Sequence, residues 1–232
     1  VVDSRISIVD FLLKHVPKLK EKDIVVVTSK IVSVAEGRTV APYDARVRAT
    51  LIQKHADVVL SSEHPPLTYT NGMYSASSGI DESNGNGALV LPPRNPWKTA
   101  HELRSALQKK YKVRACGVLI VDSMPLPGRK GVVSCAIAVA GIVPVYDYKG
   151  KKDIFKRAFT YSSANHADAL AAAAGAVMGE GDECRPLALI SDAPVVFTSK
   201  KIRSQDIAVS IDTDIYKPLS KAVRAVRKKS IR

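Results

Sequence analysis

Two short acidic segments carry the most legible chemistry in this chain: Gly79-Ile80-Asp81-Glu82-Ser83-Asn84 and Val121-Asp122-Ser123. Each sets a carboxylate beside a hydroxyl, and the second does so where an apolar run, Gly117 to Val121, stops. Hard divalent cations want oxygen ligands, and Mg²⁺ typically takes one or two carboxylates together with water and substrate phosphates. Asp81 and Asp122 therefore read as a metal–phosphate site assembled from distant parts of the chain. The stretch from Asp81 to Asn84 equally fits an Asx turn, in which the carboxylate only organises its own backbone.

Three further segments could join such a site. Thr28-Ser29-Lys30 follows a β-branched run and could offer backbone N–H groups and an ammonium to phosphate, or simply cap a helix. Gly128-Arg129-Lys130-Gly131 puts two cations in a glycine-flanked loop, suited to a triphosphate and common in plain turns. Gly179-Glu180-Gly181-Asp182-Glu183 follows an Ala-rich run, as a C-cap with exposed acids or as the source of a third metal carboxylate. No P-loop accompanies them.

Positioning these groups requires a mixed α and β framework. Ile8, Val9, Leu12, Leu13, Val16 and Leu19 recur at helical spacing and predict an opening amphipathic helix. Asp23 to Val27 predicts a buried strand. The hydroxyl pair Thr28-Ser29 and Gly37 then bracket a short helix. Pro65-Pro66 marks an irregular connection within 61–73. Asn95 to Lys112 predicts a helix capped by Asn95, with Pro96 in its first turn and Trp97, Ala100, Leu103 and Leu107 along one stripe. Val113 to Val121 predicts a strand that places Asp122 at its C-terminal end, where α/β folds tend to hold ligands. Val132 to Val145 fits either a strand or a buried helix. Ala164 to Met178 predicts a close-packed helix, Leu187 to Ile190 a core strand and Ile207 to Ile211 another. Lys217 to Arg232 is a basic amphipathic tail.

The chain of 232 residues is long enough for one substantial core or two lobes sharing one. Hydrophobic residues make up 46% and charged residues 25%, which fits a globular protein. Lys and Arg number 35 against 22 Asp and Glu, a formal charge of +13 that suits anionic partners. Cys116, Cys135 and Cys184 lie far apart without metal-type spacing, so the expectation is buried free thiols in a cytoplasmic protein. No apolar run reaches the roughly 18 residues of a membrane span.

In order and spacing, VVVTSKIVSVAEG, SSGIDESN, VDSMPLPGRKGVVSCAIAVAG and ADALAAAAGAVMGEGDE together resemble the coenzyme F420-0:L-glutamate ligase family, over about residues 5–191. The resemblance implies an α+β fold of the F420 ligase type in an intertwined homodimer, with residues 1–215 as the ligase-like domain and 216–232 as the tail. It implies a GTP-dependent, cytoplasmic enzyme joining L-glutamate to a phosphate-bearing deazaflavin through a γ-linked amide, with Mg²⁺ or Mn²⁺ (two ions) as cofactor. It puts metal ligation on Asp81 and Asp122, with Glu180 as a further metal ligand. Nucleotide contacts fall on Ser29, Lys30, Asn84, Ser123, Gly179 and Glu180. Lys30, Arg129 and Lys130 become the cations that offset charge during phosphoryl transfer.

Three features depart from the family pattern. No Gly/Pro-containing nucleotide loop precedes the first helix, the segment between Gly37 and Gly79 is shortened and diverged, and Ser123 to Gly131 lacks the Trp and one Arg common at that place. The last change leaves the acceptor open between the deazaflavin, a folate and another carboxylate. No residue stands out as the base for the glutamate amine; His166, beside the Ala-rich helix, is the one considered. A reading of another class keeps the fold and loses the reaction. Tyr146, Tyr148, Phe155 and Phe159 lie among Lys149, Lys151, Lys152, Lys156 and Arg157, a pattern that suits single-stranded RNA. Retained aspartates argue for catalysis instead.

Overall fold

β-branched residues from Ile24 to Val27 form the centre of the fold, because they are buried on both faces and need partners on both edges. The computed structural model describes residues 4–210 and 213–216. In chain order the elements are α1 (Ile8–His15), β1 (Ile24–Thr28), α2 (Ser29–Ala35), β2 (Thr39–Val40), α3 (Ala45–His55), β3 (Val58–Val59), β4 (Leu67–Thr70) and β5 (Met73–Ala76). There follow β6 (Leu89–Val90), α4 (Pro96–Tyr111), β7 (Gly117–Pro125), β8 (Val132–Ala140), β9 (Val145–Asp147), β10 (Ser163–Asn165), α5 (His166–Met178) and β11 (Leu187–Ile190).

The main sheet runs in the order β11-β1-β7-β8. β1 pairs in parallel with β7 and antiparallel with β11, while β7 and β8 form an antiparallel hairpin. Alternation divides the sheet between two cores. Val25, Val27, Val118 and Ile120 face Leu12 of α1 and Leu103 and Leu107 of α4. Ile24, Val26, Leu119 and Val121 face Ala167, Ala171, Ala174 and Met178 of α5, together with Ile202. Each fully buried aliphatic side chain contributes about 1.5–3 kcal/mol by leaving water. Small residues let α5 approach closely: a Cβ on Gly175 would lie 2.2 Å from Ser134 Oγ on β8. That approach fixes where α5 ends, and hence where Gly179 and Glu180 begin.

A second, smaller unit holds β3-β4-β5, the β2-β6 pair and α3, around Ile52, Ile80, Leu89 and Leu91. Asp81 extends the β2-β6 ladder by bridging to Val90. One candidate carboxylate thus belongs to this unit and the other to the main sheet.

Several sequence expectations need correction. Helical periodicity runs to Leu19, but α1 ends at His15 because Val16 precedes Pro17 and is pushed to an extended backbone; Val16 and Leu19 are buried by the returning chain instead. The strand expected over Val113 to Val121 begins only at Gly117 and continues to Pro125. A bulge between Ile120 and Val121 lets it follow β8. Asp122 is therefore not at a strand end. It lies one residue past the point where β1 stops, since Thr28 is opposite Val121. Val132 to Ala140 is strand rather than helix. Residues 207–210 form no strand, and the remainder of that expectation and the tail fall outside the described residues. Cys184 is exposed, whereas Cys116 is buried and Cys135 partly so. Burial pushes the Cys116 and Cys135 thiols up to about 11, which leaves them unreactive.

Candidate functional site

The parallel β1–β7 pair brings Ser29 and Asp122 together. Thr28 ends β1, its backbone serves as the N-cap of α2, and the chain turns so that Ser29 Oγ donates to Asp122 Oδ1 at 3.1 Å. Thr28 itself makes no side-chain cap bond, so the hydroxyl of the pair that matters is Ser29. Ser123 N donates to the same carboxylate oxygen at 3.1 Å. Protein encloses Asp122 on most sides, and this desolvation pushes its carboxyl up to about 6 against the bonds from Ser29 and Ser123; the Asp81 charge adds to the rise. Gly79, at φ +71°, lets backbone pass close by: a Cβ there would be 3.7 Å from Asp122 Oδ2.

Asp81 is built differently. Its backbone pairs with Val90, N to O at 3.0 Å and O to N at 2.8 Å. Its carboxylate accepts from Ser83 N at 2.7 Å and Ser83 Oγ at 2.9 Å, which is the Asx geometry expected from the sequence. Lys30 Nζ lies 2.7 Å from Asp81 Oδ2 and also donates to Ser83 O and Ser83 Oγ, each at 2.9 Å. Partial burial raises the Asp81 carboxyl, but the bonds and charge of Lys30 and the bonds from Ser83 outweigh it and hold the group below its ordinary value. The Asx turn and the candidate ligand are therefore compatible readings of one carboxylate, pre-oriented by its own loop and neutralised by a lysine.

Glu180 and Asn84 close the third side. Ser123 Oγ donates to Glu180 Oε1 at 2.5 Å, and Asn84 Nδ2 donates to Gly181 O at 3.1 Å. Gly179 leaves α5 at φ +81°, where any Cβ would strike the Glu183 carboxylate, which in turn accepts from Gly181 N at 2.8 Å. Ser29, Lys30, Asp81, Asn84, Asp122, Ser123, Gly179 and Glu180 thus converge from four separate segments. Arg129 and Lys130 do not converge with them. They occupy the exposed tip of the β7–β8 hairpin, beyond Pro125, which puts them about 10 Å or more along the strand from Asp122 at the usual rise per residue. His166 lies at the opposite end of α5 from Glu180, about 20 Å away at the helical rise per residue. It stacks there on Tyr146, a position wrong for the amine base.

Among the described residues, no three His, Cys, Asp or Glu side chains gather as a ready-made metal cluster. The donors present are nevertheless all oxygen, from two carboxylates with hydroxyls beside them. That chemistry fits a hard cation that completes its shell with phosphate and water. Ser83, the hydroxyl that the sequence sets beside Asp81, is the Asx donor itself. Sequence reasoning missed Arg48, which pairs with Glu82 at 2.8 Å and carries no local signal.

A mixed α/β framework thus brings Asp122 and a lysine-paired Asp81 together beside a glycine-bracketed turn. The chain belongs to the F420-0:Gamma-glutamyl ligase family, whose profile matches residues 2–192. Among relatives, the coenzyme F420:L-glutamate ligase of Methanococcus maripaludis is 34% identical over 199 residues, covering 78% of this chain and 80% of the relative. The coenzyme F420:L-glutamate ligase of Methanocaldococcus jannaschii is 31% identical over 217 residues, covering 86% of each. No helix among the described residues is long and apolar enough to cross a membrane.

Proposed function

We propose that this protein is a GTP- and divalent-metal-dependent γ-glutamyl ligase acting on coenzyme F420-0 or a related carboxylate acceptor. The observation that carries the reading is the meeting of Asp81, Lys30, Asp122 and Ser29 from three chain segments in a member of this family. A carboxylate oxygen is too poor a leaving group for direct amide formation, so the acceptor must be activated. Its carboxylate oxygen attacks the γ-phosphorus of GTP, the bond to the β-phosphate oxygen breaks, and GDP leaves. The glutamate amine then attacks the resulting acyl phosphate, forms the C–N bond, expels inorganic phosphate and loses a proton to solvent or an unassigned base.

The residues of the chain position and neutralise, which is most of what phosphoryl transfer requires. Asp81 and Asp122, with Glu180 nearby, would hold Mg²⁺ or Mn²⁺, whose charge would stabilise the phosphate oxygens. Lys30 swings from Asp81 to the γ-phosphate. Ser29, Asn84, Ser123 and the backbone around Gly179 orient the nucleotide. Arg129 and Lys130, at the exposed tip of the β7–β8 hairpin, would offset negative charge on the acceptor or the phosphates. A homodimer is part of the same reading, and a folate is the alternative acceptor.

Nothing specific favours the RNA-binding alternative. Tyr146 packs against Tyr148 and His166 with Lys151 over its face, and Tyr148 packs on Phe159, so these rings are engaged with one another. The activation step has a direct test. With the acceptor carboxylate labelled in both oxygens with ¹⁸O, the released phosphate is expected to carry one labelled oxygen. Unlabelled phosphate accompanied by amide product would overturn the acyl phosphate.

A further inference from the structure

We propose that Arg48 is a positioning residue that clamps the Asp81 loop, tying Glu82 on one side of Asp81 to Ser77 on the other; this rests on Asp81 being the phosphate-side metal ligand.

Arg48 lies on α3, one turn before Ile52, so the two share a face. That face covers an unusual segment. Ser77, Ser78 and Gly79 have φ of +51°, +56° and +71°, a consecutive left-handed run. Each of the two serines in it costs about 1–2 kcal/mol of backbone strain. Such a backbone persists when its surroundings hold it, and here they do. Ser77 N donates to Pro66 O at 2.8 Å, Ser78 N to Thr68 Oγ1 at 2.9 Å and Ser78 Oγ to Ile52 O at 3.3 Å. Ser77 and Ser78 are both buried.

Arg48 adds the contact that reaches past the turn. Its Nη2 donates to Ser77 Oγ at 3.2 Å, its Nη1 meets His64 Nδ1 at 3.3 Å, and its Nε lies 2.8 Å from Glu82 Oε1. The Nε–H is not aimed at the carboxylate, so this last contact is an ion pair rather than a hydrogen bond. A planar guanidinium with nitrogens on three sides can hold three partners at once; an ammonium on a flexible stem cannot. The consequence falls on Asp81, which sits between the tethered residues. Its other side is fixed by Val90, and Glu82, engaged by Arg48, does not compete with Asp81 for Lys30. The Glu82 side chain is 45% exposed, whereas that of Arg48 is 19% exposed with its Nε buried. Loss of the Glu82 charge should therefore act on the loop and not on the fold, while loss of Arg48 also removes buried contacts.

The test compares Arg48→Met, Arg48→Lys and Glu82→Gln in the full chain, by amide hydrogen exchange of residues 79–84 and by steady-state glutamate ligation. Arg48→Met is expected to speed exchange in that segment about tenfold with β7 and β8 unchanged, and to lower kcat about tenfold or more with the nucleotide KM nearly constant, as for a misplaced reactive group. Arg48→Lys should recover only a minor part. Glu82→Gln should produce part of the same loss, and the double variant should be no worse than Arg48→Met. Unchanged exchange in Arg48→Met, or losses that multiply in the double variant, would overturn the clamp. If the unaltered protein fails to ligate glutamate, the functional reading fails while the exchange result still decides the clamp. Should Arg48→Met misfold, Glu82→Gln carries the same exchange prediction.

Discussion

Asp122→Asn is expected to abolish metal-dependent turnover, by at least about a hundredfold, while making the metal-free protein more stable at neutral pH. The two effects have one cause. Asp122 is desolvated, and its carboxyl sits at about 6 instead of the ordinary 3.8. The folded state therefore holds that proton more tightly than the unfolded chain does. The stability this contributes is full below about pH 4 and is lost as pH rises through about 6. At about pH 7.5 the ionised group opposes folding by up to about 3 kcal/mol. Asparagine keeps an oxygen that can accept from Ser29 and the Ser123 amide, and it removes the charge. Without metal, thermal unfolding of the variant should lie several degrees above wild type at about pH 7.5, and the difference should close toward about pH 4. Adding Mg²⁺ should raise the wild-type midpoint and leave the variant unmoved. Wild-type turnover in the variant would refute the metal assignment; a variant less stable at every pH would refute the desolvation argument.

Lys30→Met should separate metal binding from catalysis in an unexpected direction. In the resting structure the ammonium occupies the Asp81 carboxylate and two oxygens of Ser83, standing where a cation would bind. On the proposed function a metal would displace it, and a nucleotide phosphate would give it somewhere to go. Removing it frees Asp81, so Mn²⁺ affinity measured by electron paramagnetic resonance without nucleotide should improve a few-fold, the scale of a partly exposed ion pair. Turnover should nevertheless fall by about a hundredfold or more, because the transferring phosphoryl group loses its cation. The gain in Mn²⁺ affinity on adding GTP should also shrink. Weaker Mn²⁺ binding by the variant without nucleotide would contradict this exchange.

Where local chemistry decides, the sequence was readable. Asn95 and Pro96 start α4 as their capping roles require, Asn95 Oδ1 accepting from Lys98 N at 3.0 Å. Val25 to Val27 could only be a central strand, and Ala-rich α5 packs as its small residues demand. The order of the motifs, through the family resemblance, pointed to Ser29, Lys30, Asp81 and Asp122 as one site. It did not point to the pairing of Ser29 with Asp122 or of Lys30 with Asp81, which the sheet and the Asx turn create. What failed was decided at a distance. Polar Asp122 and Ser123 continue β7 because β8 supplies a hairpin partner, an outcome fixed by pairing and not by side-chain propensity. Arg129 and Lys130 belong to a motif near the site in sequence, yet the length of that hairpin carries them away from it. Arg48 had no motif at all; its role arises only because α3 packs across the left-handed turn before Asp81.

The most direct test of the central claim is product mass spectrometry after incubating the protein with GTP, Mg²⁺ or Mn²⁺ and L-glutamate, with the deazaflavin F420-0 and a reduced folate in separate reactions. A γ-glutamyl ligase of the proposed kind should add one or more glutamyl units to one acceptor, dependent on both metal and GTP and matched by released phosphate. Neither acceptor extended, with no metal-dependent binding of GTP, would contradict that function.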